Sequence, residues 1–212
     1  MTSHLVLVFD TETTGLLPSN QFAGISQYPK ILQLGFVVYD TQNRVFETRY
    51  NEYIRVSDDT VIDQFITDLT GITRNTCDTR GVPIEDALIA FHDAYMRCDC
   101  IVAHNIGFDR KMIEIEIHRN FAKIAHVVSM PFVFNSTFND LHSIETFCTQ
   151  AKGKEVCNLY IERNGSRWKK VPKLSELHQQ LFGNIPDNLH DAMADTMICA
   201  RCYLKMKHNI DL

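Results

Sequence analysis

Five consecutive apolar residues, Leu5-Val6-Leu7-Val8-Phe9, run directly into two carboxylates at alternate positions, Asp10 and Glu12. A continuous β-branched and aromatic run bounded by turn residues predicts a strand over His4 to Phe9 that is buried on both faces, and therefore central in a sheet. Side chains alternate along a strand, so residues 10 and 12 point the same way. Two acids side by side at the mouth of an apolar strand repel each other and lose hydration. A divalent cation shared between them removes that cost; the plainer alternative is a loop or helix-capping acid pair. Asp-x-Glu alone is too short to decide, so the rest of the chain must supply partners.

The following segments place those partners. Ile31 to Tyr39 and Arg44 to Val56 predict two strands joined by the turn Asp40-Thr41-Gln42-Asn43, hence antiparallel neighbours. Pro83 sits where a helix begins, and Ile84, Ala87, Leu88, Phe91 and Tyr95 recur at helical spacing. Ile101-Val102-Ala103 is a short buried strand, and Asp109 to Arg119 a helix with Met112, Ile113 and Ile117 inward. Ala125 to Cys157 shows no clear period. Leu174 to Phe182 is a helix stopped by Gly183 and Pro186, and a last helix runs from near His190 to about Lys207. Hairpinned strands followed by alternating strands and helices predict a mixed α/β sheet, with the site at the carboxyl ends of its central strands.

Two further acids fall at such places. Asp109 closes Ala103-His104-Asn105-Ile106-Gly107-Phe108-Asp109 at a strand-to-helix turn, where capping a helix dipole is the alternative role. Asp195 lies in Leu189-His190-Asp191-Ala192-Met193-Ala194-Asp195, on a helix rich in apolar residues where a carboxylate needs a partner. His190, five residues earlier, is placed either to face the acids or to remain a surface histidine at a helix start.

Asp-x-Glu after the first strand, Asn-x-x-Phe-Asp at a strand-to-helix turn and His-x-Ala-x-x-Asp near the C-terminus occur together and in this order. In this the chain resembles the DnaQ-like 3′-to-5′ exonucleases, in the branch with a catalytic histidine (DEDDh), from Leu5 to about Lys205. Leu69-Thr70-Gly71-Ile72-Thr73 and Leu174-Ser175-Glu176-Leu177 extend the match. The tyrosine branch would carry Tyr four residues before the last acid, where this chain has Asp191. The resemblance implies a ribonuclease-H-like α/β fold, a mixed five-stranded sheet flanked by helices, in one domain over 1–212. It implies that Asp10, Glu12, Asp109 and Asp195 hold two divalent ions, Mg2+ or Mn2+, and that His190 is the general base. The partner it implies is nucleic acid with a free 3′ end, shortened to 5′-mononucleotides. Thr13, Gly15, Leu16, Ile72, Asn105 and Phe108 are expected near the terminal nucleotide; His104 matches a position near the site without a catalytic role.

The chain departs from compact members of that family within 131–173. There Arg163, Arg167, Lys169, Lys170 and Lys173 surround Trp168, the only tryptophan, with Tyr160 nearby. Basic and aromatic side chains together suit single-stranded nucleic acid, and Arg163, Arg167, Trp168, Lys169 and Lys170 are expected to touch substrate. The alternative is a solvated hairpin anchored by one Trp.

Net charge of −5 argues mildly against a nucleic-acid partner, but two divalent ions would leave the loaded protein near −1. The seven cysteines, an odd number, and the absence of a signal-like start at Met1-Thr2-Ser3-His4 predict an intracellular protein with reduced thiols and no membrane span. Cys199 and Cys202 have CxxC spacing but no second pair, so buried thiols are expected rather than zinc. Two rivals remain. A haloacid-dehalogenase-like phosphatase would need Asp where Glu12 stands, and leaves the second and third motifs unexplained. A non-catalytic binding module would be expected to have lost one of the acids.

Overall fold

The computed structural model describes residues 4–20, 22–186 and 190–212. Leu189 and Met1 to Ser3 of the sequence reading, and the side chain of Arg163, lie outside the described residues.

The apolar run becomes strand β1 (Leu5–Thr13), which continues through both acids instead of ending at Phe9. It pairs antiparallel with β2 (Ile31–Asp40), which pairs antiparallel with β3 (Val45–Tyr53). Helices α1 (Gln64–Thr70), α2 (Arg74–Arg80) and α3 (Ile84–Tyr95) follow. Strand β4 (Cys100–Ala103) lies parallel to β1 and leads into α4 (Ile106–Arg119) and α5 (Phe121–Ile124). The stretch without clear period contains α6 (Ser136–His142), β5 (Glu145–Cys148) and α7 (Thr149–Cys157). A hairpin of β6 (Tyr160–Arg163) and β7 (Ser166–Lys169), then α8 (Leu174–Phe182) and α9 (Ala192–His208), complete the chain.

The sheet order is β3-β2-β1-β4-β5, with β1 central, and the hairpin forms a two-stranded sheet of its own. This is the expected mixed five-stranded sheet flanked by helices. Alternation along β1 divides the core in two. Leu7 and Phe9 pack with Phe36, Phe91, Tyr95, Met112 and Ile113, the layer of α3 and α4. Val6 and Val8 pack with Val37, Val102, Cys199, Ala200 and Tyr203, the layer of α9. Asp10 and Glu12 continue the register of Val6 and Val8, so they emerge on the α9 side of the sheet. All seven cysteines are unpaired thiols and six are buried. Among the described residues, no helix is long and apolar enough to cross a membrane.

Candidate active site

Three elements bring the acids together. Strand β1 supplies Asp10 and Glu12, while Asp109 and Asp195 each sit in the first turn of a helix, α4 and α9. Asp109 is 3% exposed. Its Oδ1 accepts from both the Thr11 amide (3.1 Å) and the Thr11 hydroxyl (2.7 Å). Thr11 faces the α4 layer by the same alternation that turns Asp10 toward α9, and so ties α4 to the centre of β1.

The start of α9 is fixed from β2. Gln33, 1% exposed and opposite Glu12 in the ladder, accepts from the Ala192 amide at 3.2 Å and donates to Asp191 at 2.9 Å and to Asn51 at 2.9 Å. Asp191 caps the helix by accepting from the Ala194 amide. Gly35, opposite Asp10, lets the helix approach: a Cβ there would lie 2.7 Å from the Ala192 carbonyl carbon and oxygen. Thr196 on α9 donates to the Gly35 carbonyl. Thr11, Gln33, Gly35 and Asp191 had no functional part in the sequence reading. The available signal was a Gln and a Gly inside an otherwise apolar strand.

The electrostatics are one-sided. Burial, then the charges of Asp109, Asp195, Glu12 and Asp191, push the Asp10 carboxyl well above the usual range. Burial, then Asp195, Asp109 and Asp191, push Glu12 up to about 8. Burial raises Asp109 to about 7 against the opposing pull of its Thr11 bonds. Burial also raises Asp195, partly offset by the His190 amide and ring. Every charged group that perturbs Asp10 or Glu12 here is another carboxylate. Moreover, Asp195 Oδ1 is buried with no hydrogen-bond partner. A buried oxygen left unpaired amid crowded acids is costly unless a cation satisfies it, and an all-oxygen donor set suits a hard divalent ion.

His190 has φ +71°, the left-handed region, and its amide donates to Asp195 Oδ2 at 3.2 Å. One ligating atom each from Glu12, His190 and Asp195 lie within 4.8 Å of one another. This brings the histidine to the acids, as near as a ligand would be.

The remaining expected positions separate. Thr13 is buried, its hydroxyl donating to the Gly15 carbonyl at 2.7 Å, and Leu16 beside it is 86% exposed. Asn105 starts α4 at φ +69° with its side chain exposed and not used as a cap, and Phe108 is half-buried. Ile72, by contrast, is 1% exposed in a cluster with Leu32, Val56, Ile66 and Cys77, so its side chain is not presented to a ligand. The basic segment is also less open than expected: Lys169 pairs with Glu155, Lys170 with Glu176, and the Arg167 guanidinium lies 4.0 Å over the Tyr160 ring. Trp168 is 62% exposed.

Residues 7–203 match the family model described as Exonuclease (RNase_T). No curated protein sequence matches the chain. Among solved structures, E. coli exonuclease I in complex with a dA16 oligonucleotide superposes with a TM-score of 0.68 at 18% identity, over 97% of this chain and 42% of that one. The zinc-bound E. coli ExoI–ssDNA complex gives 0.67 at 18%, over 98% and 42%. At this identity the likeness is one of fold, and the chain spans about two fifths of the length of the proteins it matches.

Proposed function

The chain belongs to the exonuclease family whose model spans residues 7–203, and on that premise we propose that it hydrolyses phosphodiester bonds from the 3′ end of nucleic acid, releasing 5′-mononucleotides. The observation that carries this reading is the convergence of Asp10, Glu12, Asp109 and Asp195 from three elements, with Asp195 Oδ1 buried and unpaired. These four would hold two divalent ions, Mg2+ or Mn2+. Such ions lower the pKa of a bound water and stabilise charge on the phosphate and the leaving oxygen.

The chain's own groups do the rest. Thr11 holds Asp109, and Gln33 with Asp191 holds the start of α9, so the acids are aimed before substrate arrives. His190 takes the proton of the attacking water. Thr13, Gly15 and Leu16 at the end of β1, with Asn105 and Phe108 at the start of α4, border the terminal nucleotide. The proximity of His190 to Glu12 and Asp195 also favours a second reading, in which its ring ligates an ion instead of acting as base.

Single-stranded DNA is the first substrate to try, since the E. coli exonuclease I structures of this fold include complexes with a dA16 oligonucleotide and with ssDNA. The test compares 5′-labelled and 3′-labelled single-stranded DNA, duplex DNA and short RNA with magnesium at one salt concentration. A 5′-labelled strand that shortens stepwise while the 3′ label leaves first as a mononucleotide is the expected result. Early release of the 5′ label refutes the polarity, and no metal-dependent release refutes the activity.

A further inference from the structure

The β6–β7 hairpin stands apart from the main sheet, yet the chain leaving it is tied to the β4–α4 junction, the helix start that carries Asp109. Burial drives the His104 imidazole down to about 4, so the ring is neutral. A carbonyl only accepts, so Nε2–H donates to the Pro172 carbonyl at 3.2 Å, and Nδ1 accepts from the Thr149 hydroxyl at 3.0 Å. His104 adjoins Asn105, the residue that starts α4 one turn before Asp109. The Lys170 amide, donating to the Leu159 carbonyl, closes the base of the hairpin.

Within the ladder, Ile161 faces Trp168 and Glu162 faces Arg167. Alternation puts Ile161 and Trp168 on one face and Tyr160, Glu162, Arg167 and Lys169 on the other. Trp168 and Ile161 are 62% and 48% exposed. They line a cleft of about 400 Å³ with Asn164 and Ser166. The lysines expected to track phosphates are occupied by Glu155 and Glu176; the ring is what the hairpin leaves open.

We propose that the Ile161–Trp168 face is a base-stacking platform for single-stranded nucleic acid whose 3′ end lies in the acid site. The identity of the end held there rests on the exonuclease reading. Charge favours this occupant: residues 158–173 carry five basic side chains and one acid in a chain of net −5, an excess of positive charge that remains after Glu155 and Glu176 pair with Lys169 and Lys170. A stable protein interface buries about 800 Å² per partner, far more than two exposed apolar side chains supply. An exposed aromatic face bordered by Asn164 and Ser166, on a hairpin whose other face carries Arg167 and Lys169, matches what stacks successive bases without regard to sequence.

Because Trp168 is the sole tryptophan, its emission reports the contact directly. The experiment titrates the full chain with a fluorescein-free dT12 oligonucleotide and with dinucleotide in EDTA, so that nothing is cut, and follows tryptophan emission; a parallel titration with labelled dT12 follows anisotropy. Quenching by dT12 and not by the dinucleotide is expected. Trp168→Ala should bind dT12 about 5- to 100-fold more weakly, the equivalent of one stacked base, with the salt dependence unchanged, and Trp168→Phe should recover most of the loss. Anisotropy that rises with no change in emission overturns the platform and leaves the nuclease reading intact; so does a Trp168→Ala protein that binds as tightly as the parent. Absence of any binding overturns the platform too, and magnesium-dependent cleavage then decides the nuclease reading separately.

Discussion

Replacing Glu12 by Gln should make the metal-free protein more stable while destroying its activity. Glu12 is raised from 4.5 to about 8, first by burial and then by three neighbouring acids. A carboxyl whose folded pKa lies above its unfolded value contributes stability that is fully present below the unfolded pKa. That contribution is lost as pH rises through the folded one. The window here runs from about pH 4.5 to about pH 8. At 1.36 kcal/mol per pKa unit, the whole shift corresponds to about 5 kcal/mol of destabilisation above pH 8, and about 3 kcal/mol near neutrality. Neighbouring acids that take up protons in its place reduce this, so about 2 kcal/mol is expected at pH 7.5. For a chain of this size that is a gain of about 4–8 °C in Tm. Gln mimics the protonated acid, so the gain should vanish near pH 4.5. The assay is thermal unfolding of wild type and Glu12→Gln in EDTA from pH 4.5 to 8, with cleavage measured in magnesium. If Glu12→Gln is less stable at pH 7.5 by the same amount as at pH 4.5, the carboxylate is satisfied by the fold and the picture of mutually repelling acids is wrong.

Asp10→Ala and Asp195→Ala should each lower single-turnover cleavage by about 10²-fold or more, since metal stabilisation of charge supplies several kcal/mol; a circular dichroism spectrum like the parent's with near-parental cleavage would sink the assignment. Gly35→Ala places a methyl 2.7 Å from the Ala192 backbone, so it should cost about 1–3 kcal/mol in denaturant unfolding and lower kcat by about tenfold as α9 shifts; unchanged values would mean the helix is not seated by this contact. His190→Ala should lower kcat by about 10²–10⁴-fold with manganese affinity by calorimetry preserved; a loss of affinity would assign the ring as a ligand.

The parts of the fold that could be read in advance are those where one residue pattern decides the element. The all-apolar β1, the helix α8 and the Pro83 start of α3 are of this kind. β5 was not legible because Glu145-Thr146-Phe147-Cys148 is a four-residue edge strand with two exposed residues and no apolar alternation. Its place comes from pairing with β4. Helices α1 and α2 are one to two turns long, too short for a periodic signal, although Asp63, Gly71 and Thr73 mark their ends. The acids were legible because carboxylates beside apolar segments are conspicuous. Gln33 and Gly35 were not, because their use depends on α9 arriving from about 160 residues away. The charged hairpin was legible as a charge pattern alone: its lysines find acids on α7 and α8 that sequence distance hides.

The way the acids are mounted bears on what metal removal should do. Asp109 and Asp195 occupy first helical turns, where the helix dipole and free amides favour negative charge. Asp109 is further satisfied by two bonds from Thr11, and Asp195 by the His190 amide. For the β1 pair, Asp10 and Glu12, every influence acts upward: burial and the neighbouring acids push Glu12 up to about 8 and Asp10 well above the usual carboxylate range. The layers that bury β1 are complete without the site: Leu7 and Phe9 rest on α3 and α4, and Val6 and Val8 on α9. Repulsion at one end of one strand therefore opposes a core that spans the whole sheet, and it is limited by proton uptake. EDTA should abolish cleavage while the far-ultraviolet dichroism stays that of the folded protein, with Tm lowered most at pH 8 and least at pH 5. Chelation that unfolds the chain at pH 7 and 25 °C would show instead that the ions hold β1, α4 and α9 together, as in domains where metal binding and folding are one event.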